Sequence, residues 1–184
     1  MAVKNISDYR SATLASPLAE IGSGDERWVL VYNNTGGALT NGDIKEVSFL
    51  VDTGTLNAAA STSAPMIVAV PKAPATSAGE ITVVGVVDNS KLDLSTIADT
   101  AYGYVKVAGV IQALCNGGTD IVIGDQLEVL TTATAFTVAA SASSGASGLI
   151  VPECAAIALE AYTTGTDALK WVYLLGRYTQ VKAA

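Results

Sequence analysis

The chain contains no histidine. That absence removes Ser–His and Cys–His nucleophile pairs and every zinc pattern that needs an imidazole ligand. Cysteine is nearly missing as well: the two residues, Cys115 and Cys154, are too few and too far apart for a thiolate metal cage. Both sit in apolar, strand-like runs and read as small buried hydrophobes. The opening MAVKNISDYR lacks the apolar core of a secretion signal, so both thiols are expected to be unpaired. No stretch of about 18 apolar residues occurs, and no membrane-spanning helix is expected. Charged residues are only 15% and aromatic residues 6% of the 184. A helical protein of this size normally carries far more Glu, Lys, Arg and Leu. Ten Lys and Arg against 17 Asp and Glu leave a net charge of -7, which argues against nucleic acid as a partner, because phosphate binding needs clustered cations.

What is present points to β-structure. Half of the residues are hydrophobic, mostly Ala and Val, with Thr, Ser and Gly between them. The stretch Tyr102 to Val129 organises the reading. Val105, Val107, Gly109, Ile111, Ala113 and Cys115 fall on one face of a long strand. Tyr104, Lys106, Ala108, Val110, Gln112 and Leu114 fall on a second, mixed face. Asn116-Gly117-Gly118 then supplies a reversal. Further strands are expected at Trp28–Tyr32, Ile44–Val51, Met66–Val70, Glu80–Val87, Gln126–Val129, Ala135–Ala139 and Ala168–Leu175, with an undecided Ala-rich segment at 153–162. Single helical turns are considered near Ser7–Leu14 and near Ser95, where the spacing suits a packed loop as well, and Pro71–Gly79 reads as a loop. The expected fold is all-β: a small β-barrel or β-sandwich of about eight to ten short strands over residues 28–184, preceded by an extended N-terminal arm over 1–27.

One pattern occurs twice. A strand, an Asn with a Gly-Gly pair, a short span, Gly-Asp, and a strand with Glu-Val describe residues 31–47 and again 115–129. This reads as an internal repeat or as one turn solution used twice; two copies are too few for a solenoid.

Searching for chemistry returns little. Gly145-Ala146-Ser147-Gly148 lacks the spacing of a nucleophile elbow, and no Gly-Lys-Ser/Thr follows a glycine-rich turn. Asp43 and Asp125 lack the neighbouring oxygen donors a calcium site requires and read as turn-forming side chains. The Asn33-Asn34-Thr35 sequon reads as turn chemistry. No pair among the acids is singled out for glycoside cleavage. No enzyme, cofactor, metal or small-molecule substrate is expected. Trp28, Trp171, Tyr102, Tyr104 and Tyr173 could line a sugar groove, but their alternation within strands fits core or subunit contact better.

A resemblance adds a function. Gly79-Glu80-Ile81-Thr82-Val83-Val84-Gly85-Val86-Val87, then Val105-Lys106-Val107-Ala108-Gly109-Val110, then Ile123-Gly124-Asp125-Gln126-Leu127, then Ala156-Ile157-Ala158-Leu159-Glu160-Ala161 and Trp171-Val172-Tyr173-Leu174-Leu175 follow one another in an order that resembles the capsid decoration, or cement, proteins of tailed bacteriophages. Val31-Tyr32-Asn33-Asn34-Thr35-Gly36 and Asn41-Gly42-Asp43-Ile44 fit the same type. The likeness covers roughly residues 28–176 and consists of small-hydrophobic and Gly-Asp signals. It implies a protein made in the host cytoplasm and carried on the outer surface of the virion capsid. There it would bridge major capsid protein subunits and hold the expanded shell, as a homotrimer or another small ring. No catalytic residues come with it. A tail or fibre subunit, or a carbohydrate-binding adhesion module, is the alternative. The residues expected to meet partners are Tyr9, Leu14, Leu18 and Ile21 on the arm, with Tyr104 and Val110 on the mixed face of the long strand.

Overall fold

Tyr102–Cys115 is one continuous strand of 14 residues, and the rest of the chain is built on its two ends. The computed structural model describes residues 20–21, 26–56, 66–72, 81–129, 135–139, 154–163, 165–176 and 178–180. In chain order the strands are β1 (Glu20–Ile21), β2 (Arg27–Tyr32), β3 (Leu39–Thr40), β4 (Ile44–Asp52), β5 (Met66–Lys72), β6 (Ile81–Val87), β7 (Thr96–Ile97), β8 (Tyr102–Cys115), β9 (Gln126–Val129), β10 (Phe136–Val138), β11 (Ala156–Ala158), β12 (Ala168–Leu175) and β13 (Tyr178–Gln180). No α-helix occurs among the described residues; one 3-10 turn spans Asn89–Leu92. The fold is the expected all-β one, with a closed five-stranded barrel and additional strands.

The barrel closes at Cys115, which pairs with Ala168 of β12 and with Phe136 of β10. From β10 the ladder runs to β9, then β11, then β12, and back to β8. Inside lie Ala113, Cys115, Ile121, Leu127, Phe136, Ala156, Ala158, Val172 and Leu174, all buried. These are the inward positions that period two predicts for β8, β9 and β12.

The first half of β8 belongs to a second unit with the same plan. Leu30↔Tyr104 and Tyr32↔Tyr102 in the β2–β8 ladder correspond to Gln112↔Trp171 and Leu114↔Leu169 in the β8–β12 ladder. Ile44↔Val86 and Lys45↔Gly85 correspond to Gln126↔Ile157 and Leu127↔Ala156. Val47↔Pro71 corresponds to Val129↔Phe136, and Val87↔Val105 to Ala158↔Val172. The repeat seen in the sequence is therefore a repeat of registers, with β8 acting as last strand of the first unit and first strand of the second. In the first unit β5 approaches β2 where β10 pairs with β8 in the second. Val29, Val31, Val47, Val83, Val87, Val105 and Val107 fill its core. Gly109, at φ +96°, stands between the two halves of β8 in a conformation that L side chains avoid, and Gly176 (φ +62°) follows β12 at the matching position.

Both Gly-Asp turns share one geometry. Asp43 N donates to Thr40 O at 3.0 Å, and Thr40 N donates to the Asp43 carboxylate at 2.9 Å. Asp125 N donates to Val122 O at 3.1 Å, and Val122 N to the Asp125 carboxylate at 2.8 Å. Gly42 and Gly124 carry the positive φ, +96° and +92°, that the third position of such a turn requires. The two aspartates are thus turn closures, as read. Asn33 joins a local turn to a distant strand: its Oδ1 accepts from Thr35 N at 3.1 Å, while its Nδ2 donates to Ile97 O at 3.1 Å.

Four expectations are corrected. The strands number thirteen among the described residues, because β1, β3, β7 and β13 are two- or three-residue pairings too short to leave a period. The helical turn lies at Asn89–Leu92 and not near Ser95, started by the Asp88 carboxylate accepting from Ser90 N at 3.4 Å. Pro71 lies within β5, which tolerates it because β5 ends its ladder and needs no second row of N–H donors. The mixed face of β8 is closed along its middle: Tyr104, Lys106 and Ala108 are buried, whereas Tyr102 before them and Val110 and Gln112 past Gly109 are exposed. The expected Ser7–Leu14 turn lies outside the described residues.

Cys115 and Cys154 are both free and buried. Burial, and after it the Glu160 carboxylate, pushes the Cys115 thiol up to about 11 from an ordinary 9.0. The folded value lies above the unfolded one. The contribution to stability is therefore complete below pH 9 and is lost as pH rises toward 11. The melting midpoint should fall across that window, and Cys115→Ala should flatten the fall. A thiol reagent should count no thiol in the native protein at neutral pH and two after denaturation without reductant; a denatured count of zero means a disulfide.

Candidate binding groove where the two units meet

The Gly-Asp turn of the first unit leans on the second. Gly42 O accepts from Leu114 N at 3.2 Å, and the Leu169 side chain occupies the space where a Cβ on Gly42 would stand, 2.5 Å away. Beside this contact a groove of about 360 Å³ opens between the units. Asn41, Gly42, Val87, Asp88 and Ser90 line it from the first unit, and Val110, Ile111, Gln112, Leu169 and Trp171 from the second. Its second wall is apolar and bare, with Val110 41%, Leu169 47% and Trp171 46% exposed.

The equivalence between units makes this exposure informative. Tyr104 holds in the first unit the position that Trp171 holds in the second: Asp88 N donates to Tyr104 O at 3.0 Å, and Leu159 N donates to Trp171 O at 3.0 Å. Yet Tyr104 is 3% exposed. The segment following β6 sets Ile97 and the Asn89 side chain against the opposite face of β8, beside Gly103. It folds back through the 3-10 turn and β7, and the Asn89 side chain reaches Thr96 O at 2.8 Å and accepts from Tyr104 N at 3.3 Å. In the second unit Trp171 and Leu169 stand exposed.

Cations complete the covered side. The Lys106 ammonium lies 4.4 Å from the Trp28 ring centroid, donates to Val110 O at 2.7 Å and pairs with Glu26 at 3.2 Å. Lys91 covers the Trp28 ring at 4.2 Å, and Trp28 Nε1 donates to Asp88 at 2.8 Å. Asp88 thus faces the groove already committed to an indole. Trp171 is held through its backbone. Glu160 pairs with Lys170 at 2.6 Å and accepts from Trp171 N at 3.3 Å. The Lys170 hydrogen bond, and then the Trp171 N–H, hold its carboxyl below the usual range. The indole is presented on a fixed strand and not on a loop.

Of the residues expected to meet partners, Val110 lies in this groove and Tyr104 does not. Tyr104 is corrected to a buried position within the chain, 3% exposed on the face it shares with Trp28 and Lys106. Ile21 pairs through its backbone with Trp28 of β2, so this part of the arm lies along the chain's own sheet. Tyr9, Leu14 and Leu18 lie outside the described residues. Leu169, Gln112 and Asn41 escaped the sequence reading; only the doubled Asn…Gly-Asp pattern hinted that one turn would dock on the other unit. Among the described residues no group of three or more Cys, Asp or Glu is placed to hold a metal ion. No helix among them is long and apolar enough to cross a membrane. No family model, curated protein or solved structure matches the chain.

Proposed function

We propose that the protein is a structural capsid decoration protein of the tailed-phage kind, seated on the outer surface of the head as a small homo-oligomer, most simply a trimer, and bridging major capsid protein subunits. The observation that carries this reading is the bare wall of Val110, Leu169 and Trp171, fixed on paired strands, while Tyr104, the counterpart of Trp171 in the first unit, is buried. Exposed apolar surface with a large aromatic at its centre is what protein contacts use. The resemblance over residues 28–176 names the partner. A cement function asks for rigidity and adhesion and for no chemistry. One oligomer touching several capsid subunits gains by avidity, so each contact need only be modest.

Purified protein is expected to add to expanded, undecorated heads and to raise the temperature at which they break. Protease or label applied to intact decorated heads should reach it. Labelling restricted to disrupted heads would falsify the external placement. The groove also favours one second reading. An exposed indole flanked by Asp88 and Gln112 is a surface on which a sugar ring can stack, and a glycan that quenches the Trp171 fluorescence of a protein that ignores heads selects the adhesion module.

A further inference from the structure

The two units are equivalent in register but not in what their Gly-Asp turns touch. In the first, Thr40-Asn41-Gly42-Asp43 docks on the second unit at the Leu114↔Leu169 pair. In the second, Val122-Ile123-Gly124-Asp125 is held within its own unit, Gly124 N donating to Ala158 O at 2.8 Å, and its tip meets no other unit among the described residues. Val122 is 55% and Ile123 70% exposed, and a Cβ on Gly124 would meet no atom within 4 Å. The free tip is also the apolar one, with Val-Ile where the docked tip has Thr-Asn.

We propose that the Val122–Ile123 tip docks on a second copy of this chain, at the end of the β2–β8 ladder marked by Tyr32 and Tyr102. Those tyrosines stand where Leu114 and Leu169 stand in the second unit, and they present a paired aromatic surface with ring centroids 5.1 Å apart. Tyr102 is exposed, as Leu169 is. The contact repeats between copies what the chain already makes between its own units. It joins two different surfaces of the protomer, so it is heterologous, and it propagates until a ring closes. It deepens the oligomer part of the proposed function but does not depend on the capsid. Ile44, buried in the contact within the chain, has the exposed Gln126 as its counterpart, so the contact between copies centres on the tip and is the weaker of the two.

Mass measured in solution, with no heads present, tests this. The wild type should be an oligomer, and Ile123→Asp should reduce it to monomer with an unchanged melting midpoint. For a check that does not depend on that variant's behaviour, Ile123→Cys and Tyr102→Cys proteins are made separately. Mixed and oxidised, they should form cross-linked dimers, while neither forms them alone. A monomeric wild type, an Ile123→Asp protein of wild-type mass, or Ile123→Cys dimers formed without the Tyr102→Cys partner each overturn the proposal. If the mass falls as expected but heads do not take up the wild type, the capsid reading fails and the contact stands.

Discussion

Phe136→Ala is expected to remove about 3–5 kcal/mol of stability. Phe136 is fully buried and is among the largest side chains in the closed barrel. Its backbone also fastens the barrel: Phe136 pairs with Cys115 and Val129, and its carbonyl accepts from Asn116 N at 2.8 Å. Truncation leaves a cavity next to Leu127 and Ile121, on strands whose closure gives them little room to collapse. A domain has about 5–15 kcal/mol in total. The midpoint should therefore drop by about 10 °C or more. Leu94→Ala, at an exposed position, should stay within about 0.5 kcal/mol of wild type. Equal effects of the two substitutions would show that the barrel is not the stable core.

Trp171→Ala is expected to leave the melt nearly unchanged and to weaken head attachment by about ten- to a hundredfold, which corresponds to roughly 1.4–2.8 kcal/mol per site. The backbone of Trp171 stays paired with Gln112 and bonded to Glu160, so the strand survives the loss of the ring. Tyr104→Ala is the informative contrast. Tyr104 holds the same position in the first unit but is covered, so its truncation should lower the melt and leave attachment per folded molecule intact. Attachment that survives Trp171→Ala and is lost only in destabilised variants removes the groove as the contact.

Most of the strands could be read from the sequence because period two is a strong signal in long strands. β8 and β12 fell on their expected limits, and Val172 and Leu174 face the core as alternation required. The duplication was half visible. Gly-Asp recurs because only Gly takes the positive φ and Asp closes the turn onto the N–H three residues before it. The register equivalence left no such trace, since Tyr32 and Leu114, or Tyr104 and Trp171, need only suit a pleated surface and not each other. The same gap hid the groove. Alternation cannot tell which part of the mixed face of β8 is open, since Tyr104 is buried and Val110 exposed at the same period. Lys106 shows the limit most clearly: a lysine in an alternating strand reads as solvated, yet here it is buried between Trp28, Glu26 and a main-chain carbonyl.

The strand shared by both units has a mechanical consequence. Tandem domains usually meet through a linker, which can be cut or can swing, and each half can then be expressed by itself. Here β8 is a wall of both units, so neither half is complete without the other, and a break within β8 should undo both together. Tension between the Tyr32 end of the molecule and the Leu169 end runs along one covalent backbone instead of across a contact that can peel. Two units linked in this way share a load as a single stiff plate and have no hinge at their seam.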